Sequence, residues 1–272
     1  GLSSTAEISP YANFVNYTFT PYLSRCIETT ISASGPITTE RNYTYNAKNL
    51  LASEWTLNSA KKLVEIKYKY PSDMVAQGED PLFVYANMLQ SNIVAPVIEK
   101  IEILDGQVTS LIRTNYDWFN NMHFLPKSID IQIGGSTFLG KRIFDRYNQL
   151  GNLLQERNDV GISKSYLWSY SNKYPVAEIS NVSYSTLEDI FGGADALELF
   201  SSSNPTDNEA REKINLLRKS PILKDSQIKS FTYKPLIGVS SVTDEKGMTV
   251  FYEYDPLLRL KLAGNDERSI IK

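Results

Sequence analysis

One histidine and one cysteine stand among the 272 residues, so thiol–imidazole chemistry would have to join Cys26 to His123. That chemistry needs the two side chains within hydrogen-bond reach and a third group to orient the ring. Neither residue has such a group nearby in sequence. Cys26 lies in a stretch of alternating apolar residues, where a cysteine is expected to serve as a small buried side chain. A zinc site needs several His or Cys ligands and the chain offers two in total. Calcium could be held by carboxylates, although no loop of alternating Asp and Gly occurs. Gly134-Gly135 and Gly192-Gly193 lack the strand, lysine and helix context of a phosphate loop and read as turn glycines. No cofactor is therefore expected.

Two kinds of chemistry stay open. With 31 acidic residues, a hydrolase built on paired carboxylates cannot be dismissed, and a cleft with two carboxylates about 5–10 Å apart would mark it. Tyr166, Trp168 and Tyr170 fall on one face of a strand in a period-two reading, and such a stripe either packs a core or stacks sugar rings. Asn16-Tyr17-Thr18, Asn42-Tyr43-Thr44 and Asn181-Val182-Ser183 match the N-glycosylation pattern and are read as coincidental.

The elements that must position these residues announce themselves through repetition. Tyr45-Asn46, Tyr116-Asp117, Tyr147-Asn148 and Tyr254-Asp255 each open a seven-residue unit that ends on an apolar residue: Leu51, Met122, Leu153 and Leu260. The lead-in alternates, as in Phe251-Tyr252-Glu253-Tyr254, so the unit begins at a strand end. Asp or Asn after the tyrosine can bind backbone two residues on, and Asn49, Asn120 or Gly151 suit a left-handed backbone. A hairpin turn is predicted, with the apolar residue re-entering the sheet beside the tyrosine and the tyrosines on its buried side. Leu258 occupies the left-handed position in the fourth copy, where a different turn is expected.

The key tyrosines are 71, 31 and 107 residues apart, which excludes a solenoid of equal rungs. Tyr45 to Tyr70, Tyr147 to Tyr170 and Tyr233 to Tyr254 are 25, 23 and 21 residues apart, a length for two strands and two turns.

Tyr147-Asn148-x-x-Gly151-Asn152-Leu153 and Phe251 to Asp255 with Arg259-Leu260 resemble the tyrosine-aspartate, or Rhs, repeat of bacterial surface and secreted proteins. Tyr166 to Tyr170 with Tyr174 to Ala177, and Phe231 to Leu236, look like stretches that flank such repeats. The resemblance covers about 141–180 and 228–262 and is thin before residue 110. It implies β-hairpins stacked into a long curling sheet, which in some relatives closes as a shell around a toxin. It also implies neighbouring repeats of the same protein as partners, and a cell-surface or secreted location.

Composition agrees with a mainly β chain. The 42% apolar and 11% aromatic content suffices for a core, and 17 tyrosines favour sheet surfaces. A formal charge of −3 without a basic run argues against duplex nucleic acid. No segment approaches the ~20 consecutive apolar residues that span a bilayer, and no signal-peptide pattern opens the chain. The initial glycine suggests a piece of a longer protein.

Three helices are predicted as insertions near 80–93 and 185–220. Asp80-Pro81 would open the first, and Ser185-Thr186-Leu187-Glu188 and Thr206-Asp207-Asn208-Glu209 read as capping boxes, the last helix stopping at Ser220-Pro221. The polar stretch 201–208 is the candidate mobile loop.

The expected protein is one elongated β-repeat segment over 1–272, made of antiparallel hairpins in a large curled sheet, with a division into 1–110 and 111–272 allowed. A non-enzymatic scaffold or adhesion role is expected; the alternative is a glycan-binding or glycan-processing module.

Overall fold

The computed structural model describes residues 22–33, 35–119 and 123–265. Its strands are Arg25–Ser32 (β1), Gly35–Tyr45 (β2), Leu51–Leu57 (β3), Leu63–Lys69 (β4), Glu99–Leu104 (β5), Gln107–Phe119 (β6), His123–Ile133 (β7), Leu139–Tyr147 (β8), Leu153–Asn158 (β9), Ser163–Ser169 (β10), Tyr174–Ser180 (β11), Gln227–Lys234 (β12), Gly238–Thr243 (β13), Thr249–Tyr254 (β14) and Leu260–Gly264 (β15). They form a single open sheet whose strand order is the chain order. Neighbours run antiparallel throughout, so every pairing is a hairpin or an interrupted hairpin. Connections therefore alternate between two ends of the sheet, and those that follow even-numbered strands share one end.

Two insertions interrupt this meander. Pro71–Ala76 (α1) and Val84–Gln90 (α2) lie between β4 and β5. Tyr184–Phe191 (α3), Ala194–Ser202 (α4), Asp207–Arg218 (α5) and a 3-10 turn at Pro221–Leu223 lie between β11 and β12. The capping box of α5 forms as its sequence predicts, with Thr206 and Glu209 exchanging bonds. The other helix starts are corrected. Asp80 caps α2 from outside, accepting from the Tyr85 and Ala86 amides at 3.1 and 2.8 Å, so this helix begins at Val84 and not at Pro81. Ser183, not Ser185, caps α3 by accepting from the Thr186 amide. The stretch 201–208 is not one loop: Ser201 is buried in the last turn of α4, and Asp207 already opens α5.

Burial is uneven along the sheet because the helices cover only part of it. The larger core holds Leu167, Val176, Ala177 and Ile179 of β10 and β11 against Leu187, Leu197, Ile214 and Leu217 of α3, α4 and α5. Alternation decides which side chains enter it: Ser165, Leu167 and Ser169 are buried, while Tyr166 and Trp168 on the other face are half-buried. Further along, α5 meets a face of small hydroxyls. Arg211 donates to Ser241 Oγ at 3.0 Å, and Arg218 donates to Ser230 Oγ and to the Asp244 carbonyl. A smaller core, Met74, Val84, Tyr85, Met88 and Ile98, seats α1 and α2. Beneath it Glu99, 1% exposed, is paired with Arg113 and with Lys69 at 2.9 Å. No residue of β1 to β4 is buried. Cys26 is accordingly exposed, contrary to expectation, because it sits on the uncovered edge strand.

Candidate functional site: the tyrosine end of the sheet and its cleft

The Tyr-Asx units form the hairpin loops their residues predict, with one exception. In the loop led by Asn148, the Asn148 amide donates to the Asn152 carbonyl at 2.9 Å and the Gly151 amide donates to the Asn148 carbonyl at 3.0 Å. The Asn148 side-chain oxygen accepts from the Leu150 and Asn152 amides at 3.0 and 2.9 Å. One short side chain thus satisfies the donors that a three-residue loop leaves unpaired, and the fourth residue turns left-handed, Gly151 at φ +84°. Asn46 and Asp255 make the same bonds, with Asn49 at φ +62° and Leu258 at φ +61°. Leu258 therefore adopts the common turn, and the expectation of a different one is corrected: branching at Cγ leaves the Cβ contacts of a left-handed residue tolerable, at a strain cost of about 1 kcal/mol. Arg259 Nε holds the second carboxylate oxygen of Asp255 at 2.8 Å, and these bonds keep the Asp255 carboxyl below its ordinary pKa.

Tyr116-Asp117 is the exception. Both residues lie inside β6, which runs on to Phe119, and Tyr116 pairs with Pro126. Asp117 binds Lys127 at 2.7 Å and the next amide, that of Trp118, at 2.8 Å, so it closes no loop. Asn120 and Met122 lie outside the described residues.

At this end four of the bulge aromatics, together with Tyr70, perform a second task. Tyr45, Tyr116, Tyr147, Trp168, Tyr233 and Tyr254 each stand at a register shift, opposite Leu51, Pro126, Leu153, Pro175, Val239 and Leu260 respectively. The carbonyl of the opposing residue then accepts from an aromatic of the next hairpin. Tyr70 Oη donates to Leu51 at 2.8 Å, Tyr147 to Pro126 at 2.6 Å, Trp168 Nε1 to Leu153 at 2.8 Å, Tyr233 to Pro175 at 2.8 Å and Tyr254 to Val239 at 2.9 Å. Each bulge leaves one residue of the returning strand unpaired in the ladder, Ala52, Lys127, Leu154, Val176 and Ser240 in these five, and the aromatic staple takes up the carbonyl of the residue just before it. The fit is close: a Cβ on Gly238 would lie 2.5 Å from Tyr254 Oη. Burial raises the Tyr147 and Tyr233 hydroxyls to about 12, which keeps them protonated as donors.

Beside the Asn148 loop lies a cleft of about 510 Å³, walled by Arg146, Tyr147, Asn148 and Leu150 on the sheet side and Tyr184, Glu188, Asp195 and Glu198 on α3 and α4. Arg146 binds Glu188 through both terminal nitrogens at 2.9 and 2.6 Å and stacks 4.9 Å from the Tyr184 ring centre. Glu198 accepts from Asn172 at 3.1 Å, and Asn172 in turn accepts from Asn152. Two of the three carboxylates are thus engaged by the protein itself.

The sugar-platform residues do not share a face. Tyr166 and Trp168 are half-buried on one side of β10, with Tyr166 Oη donating to Glu156 at 2.8 Å. Tyr170 lies past the bulge, in the turn at φ +52°, and is 3% exposed among Tyr174, Tyr233 and the larger core. The alternation holds through Ser169, where β10 ends, and the left-handed turn at Tyr170 takes the third ring off the stripe. His123 bonds the Gln149 carbonyl at 3.2 Å, bracing the same loop edge.

Solved structures of Tc toxin chains resemble this fold at a distance. They include the crystal structure of TcdB2-TccC3-Cdc42, at 12% identity and TM-score 0.37, and that of TcdB2-TccC3 without its hypervariable C-terminal region, at 13% and 0.37. A third is the Photorhabdus luminescens Tc holotoxin pore with a mutated TccC3, at 12% and 0.36, covering 88% of this chain and 11% of that one. The first two cover 89% of this chain, which spans about a tenth (11%) of theirs. No family model and no curated protein matches the sequence.

The tyrosine reading missed half of the loops. Asn58, Asn158 and Asp244 build the same turn at the other end of the sheet, with Lys61, Gly161 and Gly247 left-handed. The usable signal was Asx followed three residues later by Gly or Lys; no tyrosine precedes them. The staple role of Trp168 had no local signal at all. Among the described residues no group of His, Cys, Asp and Glu is arranged to hold a metal, and no helix is long and apolar enough to cross a membrane.

Proposed function

We propose that this chain is a non-catalytic scaffold and interaction segment of a larger bacterial surface or secreted protein of the tyrosine-aspartate repeat type, with neighbouring repeats as its first partners. The observation that carries the reading is the use made of its reactive groups. The repeat hydroxyls staple bulges, the repeat Asx side chains close loops, and the Arg146–Glu188 and Asn172–Glu198 contacts fasten helices to the sheet. Groups spent on holding backbone are a design for persistence of shape.

One observation favours the second reading, a glycan module: the cleft beside Tyr147 and Tyr184 holds three carboxylates, of which Asp195 alone makes no hydrogen bond or ion pair with the described residues. The test pairs a glycan array with a panel of chromogenic glycosides, run on the protein and on Asp195→Asn and Glu198→Gln. The scaffold reading expects no turnover. Turnover abolished by either substitution would refute it, and glycan binding lost with either would move the assignment to the glycan module.

A further inference from the structure

Five of the six carbonyls that face a bulge aromatic accept a hydrogen bond from the aromatic of the following hairpin. The sixth belongs to Leu260, opposite Tyr254. It has the same local geometry as its counterparts. Asp255 N donates to the Arg259 carbonyl at 2.9 Å, as Asn46 N does to Leu50 and Asn148 N to Asn152. Consecutive carbonyls of a strand point to opposite sides; in the counterparts the next one, at Leu51 and Leu153, points away from the hairpin to meet Tyr70 or Trp168. The Leu260 carbonyl is thereby aimed across the outer edge of β15. Among the described residues no side chain donates to it.

The apolar surface agrees. Leu51 and Leu153 are half-buried, whereas Leu260 is 58% exposed beside Leu257 at 70%. A strand laid on β15 would cover it as β4 and β10 cover the others.

From this we infer that the edge of β15 is a docking site for one kind of partner: an extended strand of a neighbouring repeat, running antiparallel, that ends on a tyrosine or tryptophan and places its hydroxyl or indole N–H on the Leu260 carbonyl, as the following hairpin does in the five filled cases. The inference rests on the scaffold reading and adds its selectivity. Edge backbone alone would accept any strand; the staple chooses those with an aromatic donor at the position where the partner strand ends.

The test uses a synthetic peptide copying Met248–Asp255, which carries one native staple, and the same peptide with Tyr254→Phe. Hydrogen exchange of the whole protein is followed with each, and affinities are measured by fluorescence titration. The expected result is slowed exchange at 260–264 and binding weakened roughly 2- to 10-fold by loss of the hydroxyl, the worth of one net hydrogen bond. No protection at 260–264, or protection at Arg25–Ser32 alone, overturns the docking site. Equal binding of the two peptides overturns the aromatic selectivity and leaves the scaffold reading intact, since that reading fails only by turnover or glycan binding.

Discussion

Tyr147→Phe isolates a single staple. The ring packs edge-on to Phe119 at 4.9 Å and near Phe144 at 6.4 Å, contacts that phenylalanine keeps. Only the 2.6 Å bond to the Pro126 carbonyl is lost. A net hydrogen bond contributes about 0.5–1.5 kcal/mol, and an acceptor left half-buried adds to that, so the variant should lose about 1–2 kcal/mol. For a chain of this size each kcal/mol lowers Tm by roughly 2–4 °C. Tyr147→Ala removes the packing too and should cost about 3–5 kcal/mol, while replacing the exposed Gln149 side chain should be nearly neutral. A second arm uses pH. The folded protein raises the Tyr147 hydroxyl from 10 to about 12 by burial. It therefore holds its proton more tightly than the unfolded chain. The stability this confers is complete below pH 10 and is lost as pH rises through about 12. Urea midpoints of wild type and Tyr147→Phe should differ near pH 8 and converge by pH 12, the background of the other raised tyrosines cancelling in the difference. A phenylalanine variant as stable as wild type at pH 8, or a gap that does not narrow, would refute the staple.

Three further outcomes follow from the loops and cores. Gly151→Val should destabilise by roughly 1–2 kcal/mol or more in thermal melts; its Cβ would meet Leu125 at an ordinary 3.6 Å, so the cost is the strain of a β-branched residue at φ +84°. Leu258→Gly should do the reverse: strain at φ +61° is relieved while a side chain 55% exposed loses little, for a net gain of a few tenths to about 1 kcal/mol in urea unfolding. Glu99→Gln should cost about 1–3 kcal/mol, because a 1%-exposed site loses the charge that answers Arg113 and Lys69, while Arg113 keeps Glu79 and Lys69 keeps Gln77, each at 2.8 Å.

Much of the architecture is written locally. The units at Tyr45, Tyr147 and Tyr254 carry their own turn chemistry, and Thr206 with Glu209 carries its own cap, so these elements are legible four to seven residues at a time. What escapes is set by distance or by slippage. Whether Tyr116 ends a strand depends on how far β7 follows β6 beyond it. The face of Tyr170 depends on β10 ending at Ser169, one residue before it, where the chain turns left-handed. The staples join residues 15 to 58 apart, with no fixed spacing to search for. Helices of six or nine residues such as α1 and α4 offer too few turns for a helical period. The exposure of Cys26 reflects which strands the helices reach, a property of the assembled sheet.

The order of the strands carries a rule of parity. Each strand touches only those before and after it in the chain, so a hairpin can be added or removed without rethreading the rest. A single strand cannot. Its insertion would send every later Tyr-Asx loop to the opposite end and part the staple that spans the insertion from its acceptor. Gene duplication acting on such a sheet can lengthen it only in twos, while whole helical subdomains can enter at either end, as α1–α2 and α3–α5 do, because a loop of any length returns the chain to the strand it left.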